Sequence, residues 1–206
     1  MNAPLQVEQQ EIPANLERVI FFSDAVFAIA MTLLVIDLTV PVVLTPSTND
    51  ELVRQLQNLG PSLFSYALSF GVGGMYWLAH WRRFQFIART DERLALINLV
   101  LLGFVALIPF PTAVIAAHGD MPAALLLYVF VLGTGGVIGA LSWLYAYRAG
   151  LCRADVGPRD LRLGLMRSLS GPVVMFASIP LIFVNTQLAE ACWLLIFPAQ
   201  MVMRRL

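Results

Sequence analysis

Residues 18–40 read RVIFFSDAVFAIAMTLLVIDLTV, an apolar run interrupted by Arg18, Ser23, Asp24, Thr32, Asp37 and Thr39. About 20 such residues, wound as a helix, cross the roughly 30 Å hydrocarbon layer of a bilayer. Pro41, Pro46 and the polar cluster at 47–50 close the run. Comparable windows follow at about 61–81, 94–116, 123–147, 169–184 and 188–202, the last two short. Composition points the same way: of 206 residues, 59% are hydrophobic and 13% charged, against about 45–50% and 25% in ordinary soluble chains. A soluble domain of this size leaves close to 30% of its unfolded surface exposed, so the excess apolar surface calls for lipid. That excludes a disordered chain and argues against a soluble enzyme.

The chain therefore reads as an all-α integral membrane protein with six transmembrane helices. Residues 1–17 form a cytoplasmic N-terminal segment and residues 18–206 one transmembrane domain. The polar start has no basic region ahead of an apolar stretch, so no cleaved signal peptide is expected. Lysine is absent and the thirteen basic residues are all arginine. If each window is one crossing, Arg18, the four arginines at 82–93, the five at 148–167 and Arg204 and Arg205 fall on one side, leaving Arg54 alone on the other. Orientation follows such cationic flanks, which places both termini in the cytoplasm of a multi-pass cell-membrane protein. Net charge is zero and gives no reason to expect nucleic acid. Cys152 and Cys192 show no metal or CxxC spacing. Neither a metal site nor a cofactor is expected. Glu51 to Gln57 is read as a short interfacial helix.

Polar side chains inside lipid cost a few kcal/mol and so tend to face protein or water. In the first window Arg18, Phe22, Ala25, Ile29, Thr32 and Ile36 recur in steps of four and three, a single stripe with Leu33 beside it. Asp24 lies about 140° from Ile29 on the helical wheel and Ser23 about 120° away on the other flank. The stripe then faces something shared between copies of the helix, or is an ordinary helix contact, while Ser23 and Asp24 face neighbours in the same subunit. The second window ends in Tyr76, Trp77, His80 and Trp81, then Arg82 and Arg83. Trp77 and His80 share a helix face and are candidate partners for Ser23 or Asp24. Gly135 with Gly139, and Gly136 with Ala140, have the spacing of closely packed membrane helices. Pro109 and Pro111 should kink or end the third window. The run 133–139 does not fit GxGxxG, and no nucleotide site is expected.

Arg18, Phe22, Ser23 and Asp24 read as RxxxFSD, and Tyr76, Trp77 and His80 as YWxxH. This pair of motifs resembles the signature of the transmembrane protein 175 potassium channel family, in the bacterial form with one repeat per chain. The likeness continues at Asn98, Leu99, Pro109, Phe110 and Thr112. It implies a homotetramer of six-helix subunits with the first helix of each around a central pore. It further implies that Ile29, Leu33 and Ile36 form the constriction and gate and that Thr32 contacts the ion. Arg18, Phe22, Ser23, Asp24, Trp77 and His80 would anchor the pore helix. K+ or another monovalent cation is the permeating partner. The family lacks a TVGYG filter, and so does this chain, whose nearest string is GVGG at 71–74. Alternatives are a secondary transporter of a small solute and a proton-leak pathway. An intramembrane enzyme built on Ser23, Asp24 and His80 is disfavoured, because adjacent side chains on a helix diverge by about 100°.

Overall fold

The computed structural model describes residues 13–38 and 48–203. Most of the expected N-terminal segment, Thr39 and Val40 at the end of the first window, and Arg204 and Arg205 lie outside the described residues. What is described is helical: α1 (Ala14–Leu33) with a 3-10 turn (Leu34–Asp37), α2 (Asn49–Asn58), α3 (Gly60–Gln85), α4 (Glu92–Ala106), α5 (Pro109–His118), α6 (Pro122–Arg148), α7 (Pro158–Ala177), α8 (Ile179–Ile182), α9 (Thr186–Trp193) and α10 (Ile196–Met203).

Local chemistry accounts for the helix limits. Asp91 caps α4 by accepting from the Leu94 N–H at 2.7 Å, Thr48 caps α2 through the Glu51 N–H, and Asn185 caps α9 through the Leu188 N–H. Helix α4 stops at Ala106 and α5 restarts with Pro109 in its first turn, where a missing N–H costs nothing. The break falls where the prolines put it. Helix α6 ends at Gly150, whose φ of 66° suits a residue without a Cβ.

Four helical stretches are long and apolar enough to cross a membrane: 14–36, 92–118, 122–148 and 158–182. The first of these hides only 22% of its most apolar stretch, against 61% for α6. Helix α6 is therefore the packed centre and α1 a peripheral element. Helix α3 has the length to cross, 26 residues or about 39 Å at 1.5 Å per residue. Its serines, glycines, Tyr76, His80 and two arginines place it outside the four. The sixth window is divided into α9 and α10, and the fifth is longer than its apolar core suggested, beginning at Pro158.

The α3–α4 and α6–α7 loops, flanked by most of the described arginines, meet at one end of the bundle. Ala88 donates to the Leu151 carbonyl and Arg153 to the Phe86 carbonyl, each at 2.9 Å. The Tyr145 hydroxyl donates to Asp91 at 2.7 Å. Leu16, Phe84, Ile87, Leu94, Ala146 and Leu151 form a small core there, binding the start of α1, the α3–α4 loop and the α6–α7 loop. Burial pulls the Asp91 carboxyl upward, but the Leu94 N–H, the Tyr145 hydroxyl and Arg93 outweigh it and hold the group below its ordinary value.

Helix α6 meets α7 through glycines. A Cβ on Gly133 would fall 2.6 Å from the Phe176 ring, one on Gly136 would collide with the Pro172 ring, and one on Gly139 would fall 2.7 Å from Arg83 Nη1. Gly133 and Gly136 thus face α7, whereas Gly139 faces Arg83 of α3 and Gly135 faces Phe104 of α4.

Two outcomes are expected. Gly136→Leu should lower the melting temperature in detergent by an overpacking cost of about 1–3 kcal/mol, whereas Gly103→Ala, with nothing within 4 Å, should be neutral or stabilising. An Asp with a depressed folded pKa stabilises the fold above its unfolded pKa and loses that contribution as pH falls through the folded value. The stability gap between wild type and Asp91→Asn should thus be full near neutrality and close as pH drops below about 4.

Candidate functional site: the two faces of the first helix

Helix α1 buries Ser23, Phe27, Ala30 and Leu34, a stripe in steps of four, three and four. Phe27, Ala30 and Leu34 join the main core with Leu101, Leu102 and Val105 of α4. Ser23 sits where this face meets a polar cluster. The Asn98 amide, donated by α4, lies between α1 and α3: its Nδ2 donates to Ser23 Oγ at 2.9 Å, and its Oδ1 lies 2.9 Å from His80 Nε2. An amide oxygen only accepts, so His80 carries its proton on Nε2. Ser23 Oγ passes its own hydrogen to the Val19 carbonyl at 2.7 Å. Donors therefore run in one direction, from His80 to Asn98 to Ser23 to the α1 backbone.

His80, Asn98 and Ser23 are all buried. A buried amide or hydroxyl without a partner costs several kcal/mol in an apolar medium, so this chain of bonds fixes the rotation of α1 about its axis. The His80 ring is held between Phe84, with centroids 4.4 Å apart, and Phe27 at 5.5 Å. On the other flank of α1, Trp77 Nε1 donates to Asp24 Oδ1 at 2.8 Å, and Trp77 stacks on Trp81. Ser23, Asp24, Trp77 and His80 are thus joined to one structure, α1 to α3, partly through Asn98.

The opposite face of α1 is open. Ile29 is 59% exposed, Ile36 62%, Leu33 40% and Phe22 54%. Thr32 lies among them, also exposed, its hydroxyl donating to the Ile29 carbonyl at 2.9 Å. Arg18 is exposed at the helix start and belongs to no hydrogen bond of the polar cluster among the described residues. It lines a groove of about 770 Å³ between α1 and α4 with Phe21, Phe22, Leu96 and Leu99.

Sequence reasoning from residue type alone passed over three features. Asn98 entered only through the family likeness, although a lone amide in ERLALINLVLLGFVA is itself a signal. Thr112, Ser69 and Tyr128 form a second buried relay, with oxygen separations of 2.8 and 3.0 Å. Arg83, expected among solvated flanking arginines, is instead buried.

Helical spans around a first helix with one face bonded inward and one apolar face open define an α-helical membrane protein. Residues 18–109 match the family model described as the endosomal/lysosomal potassium channel TMEM175. A potassium channel of Streptomyces collinus is 43% identical over 101 residues, which are 49% of this chain and 48% of that protein. The human endosomal/lysosomal proton channel TMEM175 is 27% identical over 168 residues, covering 79% of this chain and 33% of the human one. The crystal structure of a lysosomal potassium-selective channel TMEM175 homolog from Chamaesiphon minutus superposes with a TM-score of 0.78 at 26% identity, covering 93% of this chain and 99% of that one. The family likeness read from RxxxFSD and YWxxH holds: the TMEM175 family model covers residues 18–109, the part of the chain that carries both motifs. It spans about half the length of the curated bacterial relatives it matches.

Asn98→Ala should remove both bonds and leave His80 and Ser23 buried without them, lowering stability by about 1–3 kcal/mol. Trp77→Phe, which frees the half-buried Asp24, should cost less, about 0.5–1.5 kcal/mol. Thermal unfolding of the purified variants in one detergent measures both.

Proposed function

We propose that the chain is a subunit of a homotetrameric channel passing K+ or another monovalent cation, with α1 of each subunit lining a central pore. The observation that carries this reading is the division of α1: the face bearing Ser23, Phe27, Ala30 and Leu34 is bonded inward, and the face bearing Phe22, Ile29, Thr32, Leu33 and Ile36 is open. Support comes also from relatives named potassium channels. A stripe facing only lipid would have no use for Thr32 in its midst. The apolar groove beside α1 would receive the neighbouring subunit.

In this reading α3 and the pair α9–α10 complete six crossings with the four apolar stretches. The arginine-rich end faces the cytoplasm of the cell membrane, as the cationic-flank rule requires. Rings of Ile29 and Ile36, with Leu33 beside them, close the path by excluding water and open it when they separate. The Thr32 hydroxyl oxygen, whose hydrogen is spent on the Ile29 carbonyl, offers lone pairs to a partly dehydrated cation. Arg18 flanks the cytoplasmic mouth. No cofactor is needed, since flux is passive. A proton pathway is the second reading, favoured by the name of the human relative.

Native mass spectrometry should give a tetramer. In liposomes with a K+ gradient the protein should carry flux without an energy source, and Ile29→Asn should raise that flux or relax its selectivity. A pH-sensitive dye in the same vesicles separates K+ from proton current. Absence of flux from folded tetramers would refute the channel.

A further inference from the structure

Arg83 occupies the last turn of α3 and is more than nine-tenths buried, at 8% exposure. Its guanidinium lies against Gly139 of α6, which leaves it room. The contacts it makes are poor for a charge in such a place. Nη1 donates to Ser168 Oγ at 3.4 Å, the outer limit of a hydrogen bond, and Nε is buried with no acceptor. No carboxylate among the described residues lies within salt-bridge distance of it. Removing a guanidinium from water is costly, and the negative end of α3 offsets only part of that cost. The native sequence retains a cation there that the protein's own groups do not neutralise.

The space around it has a definite chemistry. Arg83 walls a cavity of about 60 Å³ whose other polar lining includes Arg82, Asp160, Arg167, Ser168 and Gln200, with Trp143 alongside. Asp160 accepts from the Gly157 N–H through one oxygen, and Arg82, Arg83 and Arg167 bring three guanidiniums to the lining. At about 10–15 Å³ per water-sized group, the space has room for about four to six such groups, enough for the oxygens of one phosphate. A guanidinium carries several N–H donors in one plane, a donor set that suits an oxyanion. The cavity lies at the arginine-rich end of the bundle, where the exposed Phe86 forms part of its wall.

We propose that this cavity is a binding site for a phosphate group, held by Arg83 with Ser168 and Arg167, and that occupancy braces α3 against α6 and α7. The phosphate belongs to an anionic lipid headgroup entering past Phe86 or to a free phosphate ion. The lining of the cavity comes from α3, α6, α7 and α10 and includes no residue of α1, so the site stands whether or not the protein conducts.

Purified wild-type protein, stripped of lipid in detergent, is titrated separately with dioleoylphosphatidic acid, inorganic phosphate and dioleoylphosphatidylcholine, and its melting temperature is followed. Phosphatidic acid or phosphate should raise it by several degrees and phosphatidylcholine should not. A response to the lipid alone assigns the source to a headgroup, and a response to both assigns it to the phosphate moiety itself. Arg83→Gln should abolish the shift. Ser168→Leu, which keeps the charge but fills the cavity, should do the same and decides the matter if Arg83→Gln does not fold. Arg153→Gln, in the exposed Arg153–Asp155 pair, should respond as wild type does. The proposal is overturned if wild type responds to neither anion, or if folded Ser168→Leu responds in full.

Discussion

The amide of Asn98 ties three helices together through two hydrogen bonds. It donates to Ser23 of α1, accepts from His80 of α3, and is itself part of α4. In water such bonds would exchange with solvent at little net cost, but inside a bundle surrounded by lipid an unmade bond is charged in full. Three helices are thereby locked in one register. Rotating α1 by even one residue, about 100°, would carry Ser23 away from Asn98 and swing Ile29 toward the core.

From that constraint the character of α1 follows. Its inner face is packed through Phe27, Ala30 and Leu34, and the Trp77–Asp24 bond clamps the flank. The outer face is left with large apolar side chains at more than a third exposure and a single hydroxyl among them. The subunit presents a rigid, preset stripe. Four such stripes converging on an axis would form narrow rings, and their rigidity would come from bonds made on the other side of the same helix.

Much of this was legible in the residues. The four-and-three recurrence from Arg18 to Ile36 separates the two faces of α1 from spacing alone, because exposure in a helix follows its period. Pro109 and Pro111 mark the break between α4 and α5 because a proline ring lacks the N–H and crowds the preceding turn, and so is best placed where a helix begins. Other features escaped for physical reasons. Hydropathy measures affinity for lipid, so the charged run from Pro158 to Arg167 falls outside the fifth window although it forms the first turns of α7. The same measure leaves α3 below the apolar standard, because it cannot see that Ser69 and His80 are satisfied by buried partners on neighbouring helices. Arg83 counted as a flanking charge, and only the packing of Gly139 against its guanidinium shows it to be interior.

The central claim is that the outer face of α1 looks onto water shared between subunits. The direct measurement is thiol accessibility: Ile29→Cys, in a background with Cys152 and Cys192 replaced by serine, treated with a membrane-impermeant cationic thiosulfonate during K+ flux from liposomes. Rapid modification that blocks the flux, slowed when the pore is closed, is the expected result. A cysteine at position 29 that stays unreactive while flux continues, or that reacts without changing it, would place this face against lipid and contradict the account.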